Sequence, residues 1–457
     1  MNFPITFKVT PHKIYIIAIF IGIVSAVVCL GFEALYHAAK IAGAPLFTGL
    51  NEFTYFNFSI IKKNALPLFL LLLTGGMVSS FLIKKWSPES AGSGVDFYIR
   101  SFHFGDGTLS AKTTLVKFFA TLLILSAGFP LGKEGPLLVI GAGIGAWLSG
   151  LLGFGSRARR TMYLAGAAGC LGAVFHAPLG GAITAIEILY REDFESDALV
   201  PAIISSVTAF AIFGSFMGFS SPFHFQTESF LKPAQLIACG FVGLLCSCLG
   251  QIFVWIFLRF EALFIKLGHS VVWQVTLAAI VVGILGLLVP MVLGDGLNMI
   301  SVNKNILAQD RFTTSLAMII GIIVLKMFLV GLTSTAGCSG GTLVPSFMIG
   351  GLSGTMGGLI LRHFFPETFP NIEPFIAVGM VGYFSTVSRA NLGALFMVSE
   401  FTQSYQILPN LMIACIVSLI FSKKAGLYKS QLDNKFLSPV HEWHMQKRRE
   451  QVRTEGV

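Results

Sequence analysis

Long apolar segments separated by short polar ones run through most of the chain. A helix needs about 20 mostly apolar residues to cross a bilayer. Eight segments meet this requirement clearly: 13–36, 65–83, 111–128, 198–219, 233–258, 271–293, 314–334 and 405–422. Six further apolar segments are shorter or interrupted by glycine: 136–152, 162–175, 178–190, 344–361, 374–387 and 390–400. The pattern therefore predicts an all-α polytopic membrane protein in which tilted and broken helices accompany the complete spans.

The composition agrees with a membrane location and excludes a soluble globular protein. Of the 457 residues, 54% are hydrophobic and only 12% are charged, an apolar excess that a soluble chain of this length does not bury. The net charge of +9 does not indicate a nucleic-acid partner, because the basic residues lie at the ends of apolar segments. The positive-inside rule places residues 1–12, 84–112 and the basic tail 436–457 in the cytoplasm. The transmembrane domain is then expected over 13–435.

One acidic residue, Glu134, lies inside an apolar stretch, in the motif Gly132-Lys133-Glu134-Gly135-Pro136. An ionisable group at bilayer depth is costly and therefore indicates a functional site. A helix that begins in this motif points unpaired backbone N–H groups at whatever anion lies in front of it. The motif thus predicts an anion site with a titratable acid at the tip of a helix.

No catalytic motif accompanies this acid. The chain has no H-E-x-x-H motif and no Ser/His pair in a protease-like setting, so we expect no enzymatic activity. The seven cysteines lie in apolar stretches without C-x-x-C spacing, which argues against a metal site or a disulfide. No cofactor is expected.

The chain contains an internal repeat. Two ordered blocks of small and polar residues recur: 117–145 at 326–354, and 166–187 at 379–400. Paired Gly/Pro-interrupted segments in two halves indicate a transport site at the interface between repeats. We therefore expect two structurally repeated halves, approximately 65–220 and 270–422, related as an inverted repeat. They would meet at a central anion site where Gly341–Pro345 supplies backbone donors and only the first copy, through Glu134, supplies an acid.

Three short motifs follow one another in a fixed order: Pro88–Gly94, Gly132–Pro136 and Gly341–Pro345. In this order and spacing they resemble the signatures of the CLC family of chloride channels and chloride/proton antiporters. Two further segments also resemble that family, 175–181 and 424–428. The similarity covers nearly the whole chain. It departs at Asp96, where the family usually has proline, and at Leu343, where phenylalanine is usual.

The resemblance implies a homodimer in the lipid bilayer with one pore in each subunit and chloride as the bound ion. The implied anion ligands are the hydroxyls of Ser93 and Tyr428 and backbone groups of Lys133, Gly135, Thr342, Leu343 and Val344. Neutral hydroxyls and helix ends attract a halide without holding it permanently. Glu134 would be the external gate, blocking the anion path when ionised and swinging away when protonated.

Each of these polar residues also has a structural interpretation. Glu134 and Ser93 are residue types that cap helix N-termini, and Tyr428 is of the type that anchors membrane interfaces. His176 is interpreted as satisfied by local packing. Glu187 is interpreted as binding backbone amides near a helix end, with Glu400 as its echo in the second half.

Antiport and passive conduction both remain open. The best-known antiporters of the family carry an internal proton-transfer glutamate at the position of Ile188, and an aliphatic side chain cannot relay a proton. Some exchangers of the family lack that acid, with water as a substitute. Chloride/proton antiport gated by Glu134 is nevertheless preferred, because the short chain lacks the cytoplasmic regulatory CBS domains of the large channels. The alternative is a passive chloride channel, gated by voltage or pH. A fluoride exporter is less favoured because Ser93 and Pro136 are present. The short form indicates a bacterial inner membrane.

Overall fold

The computed structural model describes residues 11–43, 58–220, 231–296, 312–422 and 426–441. Within these ranges the chain forms α-helices and short 3-10 turns, and no strand. The helices are α1 Pro11–Gly43, α2 Phe58–Trp86, α3 Val95–Phe104, α4 Ala111–Ser126, α5 Glu134–Leu151, α6 Ser156–Val174, α7 Pro178–Glu187, α8 Leu199–Met217, α9 Pro233–Leu267, α10 Val271–Leu288, α11 Phe312–Thr335, α12 Leu343–Phe364, α13 Glu373–Ser388, α14 Asn391–Phe401 and α15 Leu408–Phe421.

Eight helices in the described ranges are long and apolar enough to cross a membrane: α1, α2, α5, α8, α9, α10, α11 and α12. The prediction of an all-α, multi-pass membrane protein is confirmed. Two of the segments predicted as complete spans are shorter. Residues 111–128 form the 16-residue α4, and residues 405–422 form a 3-10 turn followed by the 14-residue α15.

Two segments predicted as broken are in fact continuous helices. Residues 136–152 belong to the 18-residue α5 and residues 344–361 to the 22-residue α12. Their glycines let helices approach closely. A Cβ on Gly145 would collide with the carbonyl of Met162 in α6, and a Cβ on Gly354 with that of Phe375 in α13. Small residues at helix contacts are typical of membrane proteins.

The two halves repeat each other in structure as well as in sequence. The α5–α6 contact through Gly145 is reproduced by the α12–α13 contact through Gly354. Lys117 of α4 donates from Nζ to the carbonyls of Ser90 (3.1 Å) and Gly92 (2.6 Å). Lys326 of α11 donates in the same way to Val292 (2.9 Å) and Gly294 (2.6 Å). The predicted limits of the halves and of the transmembrane domain stay predictions.

Residues 1–10, 423–425 and 442–457 lie outside the described part of the chain. The predicted cytoplasmic position of the N-terminal segment and of most of the tail therefore falls outside it too. The segment predicted to carry the pore tyrosine is described from 426 onward.

Candidate functional site

Helices α5 and α12 begin side by side at a pair of glycines. The N–H of Gly132 donates to the carbonyl of Gly341 (2.8 Å), and the N–H of Gly341 donates to that of Gly132 (2.6 Å). These glycines occupy equivalent positions in the repeat, so the reciprocal pair is what a local two-fold axis between inverted halves produces. The pairing brings together two helix N-termini, each with unpaired N–H groups and a partial positive charge.

The segment from Gly92 to Gly94 packs against this bridge. Both glycines have positive φ, 68° and 81°, so the segment turns sharply before α3. A Cβ on Gly135 would lie 3.0 Å from both the carbonyl oxygen of Ser93 and the Cα of Gly341. Only glycine fits there without a shift of the backbone. The three motifs singled out in the sequence therefore meet at one place.

Glu134 is the first residue of α5, and only 2% of it is exposed. Its carboxylate folds back over Gly132, where a Cβ would collide with Oε2 and lie 3.3 Å from Cδ of Pro345. Among the described residues, Oε2 has no hydrogen-bond partner. The carboxylate thus lies between the two helix N-termini, in a place whose surrounding dipoles favour an anion.

Lys133 precedes α5, and its ammonium forms an ion pair with Glu33 of α1. Both side chains are largely buried. Glu33 therefore neutralises this ammonium. Anion binding by the backbone groups of Lys133 and Gly135 stays a prediction.

The predicted hydroxyl ligands belong to Ser93, whose carbonyl lies against Gly135, and to Tyr428. Ser93 Oγ accepts a long bond from the N–H of Val95 (3.4 Å), which leaves its O–H free to donate. Tyr428 is buried, with its phenol beside Thr342. The Thr342 hydroxyl is buried and makes no bond of ordinary geometry to the described residues. Leu343 and Val344 form the buried first turn of α12. Binding of an anion by these groups stays a prediction.

Asp96 joins the two hydroxyl-bearing segments. Its Oδ1 accepts from the N–H of Ser430 (2.8 Å) and its Oδ2 from the Ser430 hydroxyl (2.9 Å). The carboxylate at the start of α3, three residues after Ser93, thereby holds the chain two residues after Tyr428. From the sequence, only the departure from the usual proline at this position was evident, and nothing indicated its partner.

Glu187 and Glu400 cap helices of opposite halves. The Glu187 carboxylate accepts from the N–H groups of Asn391 (2.9 Å), Leu392 (3.0 Å) and Gly393 (2.7 Å) at the start of α14. Glu400 does the same at the start of α7, accepting from Leu179 (3.1 Å) and Gly180 (2.8 Å). The two acids are thus engaged at helix ends, away from the bridge.

His176 is held by a backbone carbonyl and by aromatic rings. Its Nε2 lies 3.1 Å from the carbonyl of Gly218, and its ring packs on Phe210 and Phe213. Since a carbonyl can only accept, this nitrogen carries the proton. The geometry is that of a locally satisfied histidine.

Asp295 is the counterpart of Ser93 in the second half, and the sequence comparison of the halves missed it. Gly294 and Gly296 have positive φ, 68° and 95°, like Gly92 and Gly94. The segment is held by Lys326 as the first is held by Lys117. The repeated G-x-G pattern was the available signal. It was hidden because its spacing from the following lysine differs between the halves.

The comparisons with known proteins agree with this geometry. The profile of the voltage gated chloride channel family matches residues 75–423. The H(+)/Cl(-) exchange transporter ClcA of Salmonella paratyphi A is 29% identical over 365 residues, covering 78% of this chain and 76% of that protein. A ClcB-like chloride channel protein of Ralstonia nicotianae is 26% identical over 377 residues, covering 80% and 86%.

Solved structures share the fold. A slow cyanobacterial Cl-/H+ antiporter superimposes with a TM-score of 0.77 at 23% identity, covering 91% of this chain and 95% of that one. A CLC-type fluoride/proton antiporter also gives 0.77, at 21% identity, covering 94% and 100%. With its family profile matched over most of its length, the chain belongs to the voltage gated chloride channel family, the CLC proteins.

Proposed function

We propose that the protein exchanges chloride for protons across the membrane, with Glu134 as the gate that both ions use. Family membership supports the coarser statement, CLC-type chloride transport. The proposal of chloride/proton exchange rests on the position of the Glu134 carboxylate. This carboxylate is buried between the N-termini of α5 and α12, and its Oε2 is unpaired among the described residues.

The surroundings of the bridge suit a halide that must bind and leave. The donors are helix-end N–H groups and the hydroxyls of Ser93 and Tyr428, all uncharged. The ammonium of Lys133 is neutralised by Glu33. Such a site attracts an anion through partial charges and releases it again.

Glu134 can act as a gate because its carboxylate and chloride compete for the same position at the helix N-termini. An ionised Glu134 is attracted to the same N–H groups as chloride and excludes the ion from them. A protonated Glu134 loses this attraction and moves aside, so chloride enters when the acid holds a proton. Because each ion displaces the other, the arrangement supports exchange. The relative named as an H(+)/Cl(-) exchange transporter supports this choice.

A passive chloride channel is the second candidate, and Ile188 is the observation that favours it. This residue is fully buried just beyond α7 and has no group that holds a proton. The relative named as a chloride channel protein is similar to the chain over a comparable length.

The replacement Glu134→Gln tests the gate in purified protein reconstituted into liposomes. A glutamine cannot take up or release a proton, so we expect proton movement to vanish while chloride flux continues and no longer depends on pH. Glu400→Gln is the matched control, because it also neutralises a largely buried acid but one that caps a helix away from the bridge. Coupled proton movement that persists in Glu134→Gln contradicts the assignment.

Several expectations from the resemblance remain part of this proposal. They are the homodimer with one pore per subunit, the preference for chloride over fluoride, and a bacterial inner membrane with both termini in the cytoplasm. The structural similarity to a fluoride/proton antiporter concerns the fold alone.

A further inference from the structure

Proton exchange through Glu134 requires a second place where protons are taken up from the cytoplasmic side. Ile188 cannot serve, since its side chain is aliphatic. Its neighbour Glu187 is poorly suited to take up a proton, because its two oxygens already accept three backbone N–H bonds at the start of α14. Protonating this carboxylate would sacrifice bonds that hold the two halves together. The site must therefore lie elsewhere.

The chain just after α7 carries a buried acid in a suitable position. The N–H of Glu195 donates to the carbonyl of Ile186 in the last turn of α7 (3.1 Å), so this acid lies against the segment that contains Ile188. Only 4% of Glu195 is exposed. Its Oε2 accepts from the Tyr190 hydroxyl (2.9 Å) and lies 2.9 Å from Nε2 of His441.

The C-terminal segment brings His441 to this acid by docking along the chain after α7. The N–H of Arg191 donates to the carbonyl of Leu432 (2.9 Å), and that of Glu192 donates to the carbonyl of Asp433 (3.0 Å). Glu195 and His441 are 246 residues apart in sequence. The Tyr190 hydroxyl and the His441 imidazole, from distant parts of the chain, thus contact the same oxygen of Glu195.

A surface pocket reaches both groups. Its lining includes Glu195, His441, Arg157, Arg160 and Asp197. The two arginines are already paired, Arg157 with Asp197 (2.7 Å) and Arg160 with Asp106 (2.5 Å). The side-chain partners of the Glu195 carboxylate are therefore Tyr190 and His441. The arginine-rich start of α6 lies on the cytoplasmic side by the positive-inside rule.

The other titratable groups near Glu195 remain fixed in charge or hydrogen-bonded. His103 of α3 lies 3.1 Å from the carbonyl of Leu189 through Nε2 and 2.8 Å from Oγ of Ser438 through Nδ1. Burial lowers the pKa of His103 to about 4, so this imidazole stays neutral near pH 7. Asp193, on the same loop, accepts from the N–H groups of Phe194 and Lys435.

We propose that Glu195, together with His441 and Tyr190, is the site at which protons from the cytoplasm are taken up for exchange with chloride. This inference rests on the proposed antiport function. A hydronium ion in the pocket breaks one O–H bond and leaves as water, while an O–H bond forms at Oε2 of Glu195. The carboxylate thereby loses its negative charge. Release of the proton toward Glu134 restores the carboxylate.

The test measures chloride and proton fluxes in liposomes for the full-length protein, Glu195→Gln and Asp197→Asn. The last is the matched control, since Asp197 lines the same pocket but is 52% exposed and pairs with Arg157. We expect Glu195→Gln to lower the proton flux by about tenfold or more, the scale of a lost acid–base group. Its chloride flux should persist, and its residual proton flux should no longer depend on internal pH. Asp197→Asn should couple normally.

The possible results distinguish failure of the proton-uptake site from failure of the proposed antiport function. Normal coupling in Glu195→Gln overturns the uptake site and leaves the antiport intact. Chloride flux without proton movement in the unmodified protein overturns both. If Glu195→Gln does not fold, His441→Gln and Tyr190→Phe replace it, and unchanged coupling in both overturns the site. Recovery of coupling in Glu195→Asp supports it, because that variant restores an acid.

Discussion

Replacing Glu187 with glutamine is expected to destabilise the protein without uncoupling it. The Glu187 carboxylate accepts three N–H bonds from the first turn of α14, at 2.9, 3.0 and 2.7 Å. Glutamine keeps one acceptor oxygen but places an NH₂ donor where the second oxygen was. That donor then faces a backbone N–H, so at least one bond is lost and the remaining ones are no longer made to a charge.

The expected magnitude follows from the number and kind of bonds. A hydrogen bond to a charged group contributes about 1.5–3 kcal/mol, and a charge at a helix N-terminus adds about 0.3–1 kcal/mol. We therefore expect Glu187→Gln to lower the free energy of unfolding by about 2–4 kcal/mol. Glu400→Gln should lower it less, because Glu400 accepts two N–H bonds, at 3.1 and 2.8 Å.

Denaturant titration in detergent micelles measures the two free energies, and flux assays on the same samples measure coupling. The expected order of stability is unmodified protein, then Glu400→Gln, then Glu187→Gln, with proton coupling kept in all three. A Glu187→Gln variant that keeps its stability and loses proton transport refutes this reasoning, since Glu187 would then be a proton carrier and not a cap.

Three further predictions concern the segments around the bridge. Ser93→Pro removes a hydroxyl donor and should shift preference from chloride toward nitrate in competition flux assays; unchanged competition counts against Ser93 as an anion ligand. Asp96→Asn and Ser430→Ala each remove one bond of the link to the Tyr428 segment. Each should weaken chloride binding by about fivefold, the equivalent of one ordinary hydrogen bond, measured by calorimetry; unchanged binding in both contradicts the positioning role. Lys117→Met and Lys326→Met each leave two carbonyls without their lysine donor. Both should lower stability, but only Lys117→Met, which frees the Ser93 segment, should also weaken chloride binding; equal effects on binding contradict this distinction.

The meeting of the three motifs was predictable from the sequence, and the reason is local. Gly132 and Gly341 stand at equivalent positions of a repeat, and each precedes a helix start that proline and glycine mark. Two helices that begin at a repeat interface bring their N-termini together whatever the details of the rest. The position of Glu134 follows from this arrangement.

The continuity of α5 and α12 was not predictable in the same way. Glycine weakens a helix in water but permits close packing in a membrane, and the sequence alone does not say which effect prevails. The contacts across Gly145 and Gly354 decide it here. The segments 111–128 and 405–422 looked longer for a different reason, since their apolar runs continue past the helix ends. Residues 127–128 follow the end of α4, and a 3-10 turn at Tyr405–Ile407 precedes α15.

Contacts between distant segments left no signal in the sequence. The bonds from Ser430 to Asp96 join residues 334 positions apart. Asp96 was visible only as a departure from the usual proline, and nothing marked Ser430 as its partner. The Glu195–His441 contact is of the same kind. The echo of Glu187 at Glu400 predicted paired roles, but only the structure shows that each acid caps a helix of the opposite half.

The most direct test of the central claim is the response of protons to a chloride gradient in sealed liposomes that contain the unmodified protein. The liposomes are loaded with high chloride and placed in weakly buffered low-chloride medium at equal pH and equal potassium. Valinomycin lets potassium balance the charge that moves, and a pH electrode follows the medium. The account predicts that chloride leaving the liposomes drives protons inward against the gradient that develops, and that a protonophore collapses it. Chloride efflux at rates well above the leak with no change in pH contradicts the account and identifies a passive channel.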